Sequence, residues 1–205
     1  DADRCFLIDE LGGLVNPSAL TALIAVRELK ANPGASIIYN LISSKTVPEV
    51  IAENGGIGIR SRVGHSYIKS TMAQTGAVFG GEHSGHFYFN DFWRADSGML
   101  AALYALAELM ASNLSLSELL KPYNRYVSSG EINTKVKDVT KSISRVRDKY
   151  HGEYQVDELD GLTITADTWW FNLRPSNTEP LLRLNVEADT EKEMIKIRKA
   201  VLALI

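Results

Sequence analysis

The first half of the chain alternates between short apolar runs and longer segments in which apolar residues recur at helical spacing. The strand-like runs are CFLID, SIIYNLI, GIGIRSRV and AVFGG, and helical patterns lie between them. Asn16 and Pro17 mark the N-cap and first residue of a helix that Gly34 stops, and Gly76 closes a later helix. This repetition predicts an α/β domain with a mainly parallel sheet and helices on both faces.

The pattern changes after a long apolar helix, GMLAALYALAELMAS, which Asp96 or Ser97 is expected to cap. A linking helix follows and is interrupted at Pro122. The strand-like segments EINTKVKD, LTITADTWWFNLR and PLLRLNVEA then alternate with two helices, VTKSISRVRDKY and DTEKEMIKIRKAVLALI, which predicts a smaller α+β domain with an antiparallel sheet. The expected boundaries are residues 1–113 for the α/β domain, 114–129 for a linker and 130–205 for the α+β domain.

Charge and cysteine content restrict the possible partners and location. The 205 residues carry a formal net charge of -3, so we expect no general attraction to nucleic acid or to an anionic membrane, and any anion must be bound at a local site. A single cysteine, Cys5, and the lack of an apolar run long enough to span a bilayer predict a reducing, cytoplasmic setting. Because the sequence starts without methionine, we also expect it to be part of a longer protein.

The segment RPSNTEP concentrates anion donors between two strand-like runs. A turn containing Ser176, Asn177 and Thr178 can direct hydroxyls and backbone N–H groups into one concavity, and Arg174 adds a planar fork for two phosphate oxygens. The alternative is a proline-bounded turn whose polar side chains only cap the backbone. The segment therefore predicts either a phosphate site or an ordinary polar turn.

The segment GGEHSGHFYF follows a strand with a glycine-punctuated loop. Glu82 and Ser84 can accept from and donate to the vicinal hydroxyls of a sugar, and His86 can move a proton near neutral pH. Two other interpretations stay open: an ordinary hairpin with surface histidines, or a zinc site formed by His65, His83 and His86.

The first four residues, DADR, form a third candidate site. Asp1 and Asp3 offer oxygen ligands at alternate positions to a hard cation such as Mg²⁺, and Arg4 adds a positive charge for phosphate beside it.

Together these segments resemble one family, the α-D-phosphohexomutases, in the branch of phosphomannomutases and phosphoglucomutases. Members carry a metal loop D-G-D-x-D-R, a sugar loop G-E-x-S-G-H and a phosphate loop R-x-S-N-T-x-P, in that order along four domains. The chain has DADR, GEHSGH and RPSNTEP in the same order, and VGHSYIK at residues 63–69 is similar to the family's G-H-S-x-I-K run. The resemblance implies a Rossmann-like third domain, entered through residues 1–4 of the metal loop, and a fourth domain related to the TATA-binding-protein-like sheet.

The resemblance also implies roles for individual residues. Glu82 and Ser84 would bind sugar hydroxyls, and one or both of His65 and His86 would assist proton transfer. Arg174, Ser176, Asn177 and Thr178 would hold the phosphate that is not transferred. Asp1 and Asp3 would be two of three Mg²⁺ ligands, with Arg4 beside them. In many members a lysine follows the strand that SIIYNLI resembles; here Ile42 occupies that place, and Lys45, three residues on, is its candidate replacement.

The reaction implied is the interconversion of hexose 1-phosphate and hexose 6-phosphate, with mannose or glucose as the sugar. It proceeds through a phosphoserine and a glucose or mannose 1,6-bisphosphate. The phosphoserine loop and the start of the metal loop are not in this sequence, so we expect no turnover by the chain alone and expect domains 1 and 2 of the same protein as its partners. The alternatives are a stand-alone sugar-phosphate-binding module and a phosphoglucosamine mutase, although GEHSGH departs from the GEQSGH typical of the latter.

Overall fold

A computed structural model of the chain describes residues 2–176, 179 and 181–205. It divides into two compact units, Asp1–Arg125 and Tyr126–Ile205. The change of pattern seen in the sequence therefore corresponds to a change of folding unit.

The first unit contains five α-helices and five strands among its described residues. The helices are α1 (Pro17–Ala31), α2 (Thr46–Glu53), α3 (His65–Thr75), α4 (Gly98–Ala111) and α5 (Leu116–Leu120), and a 3₁₀ turn, Lys121–Tyr123, follows α5. The strands are β1 (Ser36–Asn40), β2 (Ile57–Ser61), β3 (Phe79–Gly81), β4 (Phe87–Phe89) and β5 (Ala95–Asp96). Asn16 accepts a hydrogen bond from the backbone of Ser18 as the predicted N-cap of α1, and Ser97, rather than Asp96, caps α4.

The sheet of this unit is mixed, in the order β2-β1-β3-β4-β5. β1 pairs with β2 and β3 in parallel, whereas the β3–β4 and β4–β5 pairs are antiparallel. The prediction of a mainly parallel sheet was therefore wrong for its second half. The physical reason is the length of the connections: a few residues can close a hairpin, whereas a parallel crossover needs a dozen or more.

Helices cover both faces of this sheet, as predicted. Ile37 of β1 packs in a large core with α1, α2 and α4, while its neighbour Ile38 packs against Ile68 and Met72 of α3 on the opposite face. Successive strand residues point to opposite faces, so β1 is buried on both.

The expected linker at 114–129 is not a separate segment. Leu116, Leu119, Leu120 and Tyr123 pack in the core of the first unit, and Arg125 contacts Glu53 through both terminal guanidinium nitrogens at 2.6 Å. The unit therefore extends to Arg125 because this amphipathic segment covers part of its core.

The second unit is an antiparallel sheet with two helices. Its strands are β6 (Val127–Lys135), β7 (Gln155–Asp157), β8 (Leu162–Thr165), β9 (Trp169–Pro175) and β10 (Leu181–Ala188), and its helices are α6 (Val139–Tyr150) and α7 (Glu191–Leu202). The strand order is β6-β10-β9-β8-β7, and all four pairings are antiparallel, as predicted. The run LTITADTWWFNLR forms two strands rather than one, because a turn at residues 166–168 folds it into a hairpin. The short strand β7 was not predicted.

One face of this second sheet packs against both helices. Phe171 and Leu173 of β9 and Leu184 of β10 share a core with Val146 of α6 and Ile197 of α7. The intervening residues of β9 and β10 are mostly polar, so the other face of the sheet presents charged and amide side chains.

Among the described residues, no single helix is long and apolar enough to cross a membrane. Gly98–Ala111 and Leu116–Tyr123 reach the required length and composition only when taken together, with a bend of 103° between them.

The backbone of Arg174 depends on a glycine opposite it. Gly161 has a φ of +71°, and a Cβ there would lie 2.5 Å from the carbonyl oxygen of Leu173 and 2.7 Å from the Cα of Arg174. Gly152 has a similar φ of +86°, but a Cβ there would meet no atom within 4 Å. The two glycines thus share a left-handed backbone conformation, which any other residue would adopt only with strain, and differ in the space around them.

We expect Gly152→Ala to cost about 1 kcal/mol of unfolding free energy, which is the strain of the left-handed backbone. Gly161→Ala should cost about 3 kcal/mol, because the steric clash with β9 adds to that strain. Urea unfolding of both variants measures the difference. Equal losses would show that the close approach of β9 to Gly161 does not constrain the fold.

Candidate functional site

The GEHSGH segment forms the tip of the β3–β4 hairpin. The backbone N–H of Glu82 donates to the carbonyl of His86 at 2.9 Å, and the N–H of Gly85 donates to the carbonyl of Glu82 at 3.0 Å. His83 and Ser84 occupy the turn and are half-buried. The hairpin interpretation of the sequence is therefore correct for the backbone of this segment.

The first residues of the chain run beside this hairpin. Arg4 forms an antiparallel bridge with His86, and the N–H of Cys5 donates to the carbonyl of Gly85 at 2.9 Å. At the start of α4, the N–H of Gly98 donates to the carbonyl of Ala2 at 3.0 Å, and a Cβ on Gly98 would lie 2.0 Å from the carbonyl oxygen of Arg4. Only glycine allows this approach, which places residues 2–4 next to GEHSGH.

Three elements direct polar side chains to one face of the sheet. His86 and Tyr88 flank Phe87 and so share a face, and Asp96 of β5 is the cross-strand partner of Tyr88. On the helix that covers this face, His65 and Lys69 are four residues apart and therefore on the same side of α3.

Glu82 is buried, and hydrogen bonds from two elements hold its carboxylate. The N–H of Gly64 donates to Oε1 at 3.1 Å, and the hydroxyl of Tyr88 donates to Oε2 at 2.8 Å. Burial above all, with the negative charges of Glu82, Asp96 and Asp3, raises the pKa of Tyr88, so the hydroxyl keeps its proton. Nδ1 of His65 lies 2.9 Å from the same hydroxyl. Because that hydroxyl gives its one proton to Glu82, His65 must donate from Nδ1, and Nε2 of the neutral ring is left as an acceptor.

Asp96 is the second anchor of this network. Its Oδ2 lies 2.9 Å from Nδ1 of His86 and 3.5 Å from Nδ1 of His65, and its Oδ1 lies 3.0 Å from Nζ of Lys69. Burial alone would raise the pKa of Asp96, but the hydrogen bonds from Lys69 and His86 outweigh it and the pKa is lowered. An ionised carboxylate only accepts, so Nδ1 of His86 carries its proton and Nε2 of the neutral ring is a proton acceptor.

His65, His86 and Asp96 also have the donor atoms of a metal site, since their ligand atoms lie within 4.8 Å of one another. The zinc hypothesis grouped His65 and His86 with His83, which is not in this cluster. The 2.9 Å separation of His86 and Asp96 is that of a hydrogen bond, and the ammonium of Lys69 already neutralises the carboxylate. The contacts therefore favour a hydrogen-bonded network over a metal centre.

In the second unit, Arg174 lies near the end of β9 and Ser176 follows that strand. The N–H of Ser176 donates to the carbonyl of Leu181 at 2.9 Å. The first two residues of RPSNTEP, Arg174 and Pro175, are the last residues of β9, and the connection to β10 begins at Ser176. Arg174 is 7% exposed, and its Nη2 lies 2.9 Å from Oε2 of Glu131.

Some of the predicted site residues cannot be placed. Asp1, Asn177 and Thr178 lie outside the described residues. Asp3 is half-buried and is close enough to Tyr88 for its charge to contribute to the raised pKa of the phenol.

The structure thus brings Arg4, Glu82, His65 and His86 to one place in the first unit. Three members of the network were not predicted from the sequence. Tyr88 could have been found from the two-residue spacing after His86, and Lys69 from its four-residue spacing after His65. Asp96 was considered only as a helix cap, because its proximity to the histidines depends on the β4–β5 pairing.

The chain matches two family descriptions in succession. Residues 16–126 match "Phosphoglucomutase/phosphomannomutase, alpha/beta/alpha domain III", and residues 131–204 match "Phosphoglucomutase/phosphomannomutase, C-terminal domain". The first match coincides closely with the first compact unit and the second with the second unit.

Individual relatives agree with this assignment. The chain is 47% identical over 194 residues to a phosphomannomutase of Methanocaldococcus jannaschii, with 95% of this chain and 43% of the relative covered. It is 38% identical over 200 residues to a phosphomannomutase of Escherichia coli, with 97% and 44% covered. A solved phosphoglucomutase/phosphomannomutase family protein from Burkholderia thailandensis superposes with a TM-score of 0.86 at 30% identity, with 100% and 44% covered. The chain spans less than half the length of these relatives.

The lowered pKa of Asp96 predicts a pH-dependent contribution to stability. Its ion pairs stabilise the folded chain above the ordinary aspartate pKa of about 3.9, and this stabilisation is lost as pH falls through the lowered pKa of the folded state. We expect Asp96→Asn to cost about 2 kcal/mol of unfolding free energy at pH 7. The cost should shrink on acidification through that range, as measured by urea unfolding at several pH values.

The matched control is Asp91→Asn, which removes the same charge from an exposed position. It should stay within about 0.5 kcal/mol of the parent at pH 7. An Asp96→Asn penalty that is independent of pH would contradict the ion-pair account.

Tyr88→Phe should destabilise the first unit by about 1–2 kcal/mol, because the buried Oε2 of Glu82 loses its hydroxyl donor. Tyr39→Phe is the control: Tyr39 is half-buried on β1, and the described residues provide no hydrogen bond to its hydroxyl. Thermal unfolding followed by circular dichroism compares the two variants. Equal shifts would mean that the contact between Tyr88 and Glu82 adds nothing to stability.

Proposed function

Because this chain belongs to the phosphoglucomutase/phosphomannomutase family, we propose that it is the C-terminal, substrate-binding half of a phosphohexomutase. The whole protein interconverts hexose 1-phosphate and hexose 6-phosphate, with glucose, mannose or both as the sugar. The reaction transfers a phosphoryl group between the sugar and a phosphoserine outside this chain, through a hexose 1,6-bisphosphate. The first unit corresponds to the Rossmann-like third domain, and the second to the TATA-binding-protein-like fourth domain.

One observation carries this proposal most directly: the network of Glu82, Tyr88, His65, Asp96 and His86 is preorganised around the GEHSGH hairpin. Hydrogen bonds fix both oxygens of Glu82, so this carboxylate is held in position to accept from sugar hydroxyls. Ser84 in the turn adds a hydroxyl that can donate and accept.

His86 is the best candidate for general base in this half of the site. Asp96 fixes Nδ1–H, so Nε2 can take the proton of the attacking sugar hydroxyl and return it to the leaving oxygen. His65, whose ring centroid lies 4.2 Å from that of His86, has the same tautomer and assists. Arg4, bridged to His86 through the backbone, supplies positive charge near the phosphoryl group.

Arg174 and Ser176, with Asn177 and Thr178, hold the phosphate that is not transferred. A planar guanidinium can grip two phosphate oxygens at once. A mutase must bind its substrate in two opposite orientations. Separate binding sites for the phosphate that is not transferred and for the sugar hydroxyls suit this requirement.

Mg²⁺ would be held by Asp1 and Asp3, with further ligands from the preceding part of the full protein. Carboxylate oxygens are suitable hard ligands, and the negative charge of Asp3 acts at Tyr88, beside the network. When bound, the metal stabilises negative charge on the transferred phosphoryl group.

Domains 1 and 2 of the same protein supply the phosphoserine and the rest of the metal loop. We therefore expect the chain alone to bind hexose phosphates without turnover. A stand-alone binding module would share that behaviour, but it would gain no mutase activity when the N-terminal half is added. The sugar-loop sequence GEHSGH favours this branch over phosphoglucosamine mutases.

The proposal is tested by an amide NMR titration of the chain with glucose 1-phosphate and, in parallel, mannose 1-phosphate. Shifts are expected at residues 82–86 and at Arg174 and Ser176, and those of residues 82–86 and Ser176 should be lost in Arg174→Ala at the same ligand concentrations. Removing the bidentate phosphate contact is expected to weaken binding about tenfold or more.

Galactose without phosphate serves as the ligand control and should produce no shifts. No shift in either loop at millimolar sugar phosphate would contradict the proposal. Turnover by the chain alone in the presence of glucose 1,6-bisphosphate would contradict the assignment of the phosphoserine to another part of the protein.

A further inference from the structure

A cavity in the second unit is lined by positively charged side chains that the proposed function does not use. It lies where β6 ends and α6 begins, and its volume is about 590 Å³. Lys135 is the last residue of β6, Lys137 belongs to the connection that follows, and Lys141 and Arg145 lie on the first two turns of α6. The volume is in the range of small-molecule sites.

The spacing of these residues explains why their side chains reach one cavity. Lys141 and Arg145 are four residues apart, so they lie on the same side of α6 and about 6 Å apart along its axis. Lys135 and Lys137 are two residues apart, a spacing that places side chains on one face of an extended chain. The turn from β6 into α6 brings the two pairs to the same cavity.

Little negative charge compensates these cations. The chain has a net charge of -3, yet Asp138 is the one acidic residue among the described residues that line the cavity. Its Oδ1 is already used, because it accepts from the N–H of Lys141 at 3.0 Å as the N-cap of α6. Its Oδ2 lies 3.6 Å from Nζ of Lys141. Four cationic side chains and one carboxylate leave an excess of three positive charges.

The distribution of the cations favours an anion with several linked phosphates over a single phosphate. Lys141 and Arg145 are separated by one helical turn, and the lysines of the β6 end approach from another element, so one phosphate group is too small to contact all four. Val136 and Ile205 add an apolar wall, which suits the organic part of a small molecule. The described lining residues include no aromatic ring, so the cavity lacks the stacking surface of sites for single-stranded nucleic acid.

We infer that this cavity is a second anion site, which binds a small molecule with two or three linked phosphates, such as a nucleoside triphosphate or an inorganic polyphosphate. The four cations contact the phosphate oxygens, and the apolar wall contacts the organic part of a ligand that has one. The site differs from the proposed phosphate loop, because no described residue of β9 or of its connection to β10 lines the cavity.

The test measures ATP binding to the complete chain by isothermal titration calorimetry, in metal-free buffer so that the phosphates stay fully charged. Amide shifts locate the site, and we expect them to be concentrated in residues 135–145. Lys141→Gln combined with Arg145→Gln should weaken ATP binding about tenfold or more, because two of the four cations are lost. Both side chains are exposed, so the variant should keep its fold.

The matched control is Lys192→Gln combined with Lys196→Gln. It removes two positive charges at the same four-residue spacing from exposed positions on α7, and neither residue lines the cavity. At a salt concentration of about 150 mM, charges outside the site are largely screened, so this variant should bind ATP within about twofold of the parent.

Two further probes separate the phosphates from the organic part. AMP should bind at least about tenfold more weakly than ATP, whereas tripolyphosphate should keep most of the affinity. Tighter binding of ATP than of tripolyphosphate would identify a nucleotide as the preferred ligand. Equal affinities would identify the chain of phosphates by itself, and both results support the site.

Other results would overturn the inference. AMP that binds as tightly as ATP would refute recognition of linked phosphates, and unchanged ATP affinity in the variant of Lys141 and Arg145 would exclude the cavity. Arg174→Ala should bind ATP like the parent; a loss of affinity there, with ATP-dependent shifts at Ser176 in the parent, would show that ATP occupies the proposed phosphate loop. A parent chain that binds no ATP would refute the second site and leave the proposed function untouched.

Discussion

The carboxylate of Asp96 is the contact on which the candidate site in the first unit depends. It accepts from His86, which directly precedes β4, and from Lys69 on α3, and a second histidine, His65 at the start of α3, lies beside it. Because Asp96 belongs to a two-residue edge strand, the pairing of β5 with β4 sets the position of this charge. The β4–β5 pairing therefore sets the tautomer of His86: Nδ1 carries the proton, and Nε2 is the atom available for proton transfer.

Each unit uses a carboxylate to hold groups that would otherwise be unstable when buried. In the first unit, Asp96 and Glu82 order two histidines and a phenol. In the second, Glu131 neutralises part of the charge of Arg174 and Arg183. Buried charges are tolerated when they are paired and hydrogen-bonded. These ion pairs and hydrogen bonds hold the polar groups of each unit in fixed positions, which the proposed sugar and phosphate contacts require.

Much of the fold could be predicted from local signals. The cap at Asn16, the helices α3 and α6 and the antiparallel second sheet follow from spacing and capping residues in the sequence. The wrong predictions concern segments whose structure depends on which distant part of the chain they contact. The strands after β3 turn back as hairpins instead of crossing over, and the segment up to Arg125 joins the first core, because contacts distant in sequence determine both outcomes.

The sequence by itself determined the family and the residues of the three loops, because short ordered motifs carry that information without a structure. It also determined that Glu82, His86 and Arg174 are chemically suited to a sugar phosphate. Only the tertiary structure decided which groups support them: Tyr88 under Glu82, Asp96 and Lys69 beside the histidines, and Glu131 and Arg183 around Arg174. These partners come from other strands and helices, and strand pairing, which a single sequence encodes only weakly, brings them within hydrogen-bonding distance.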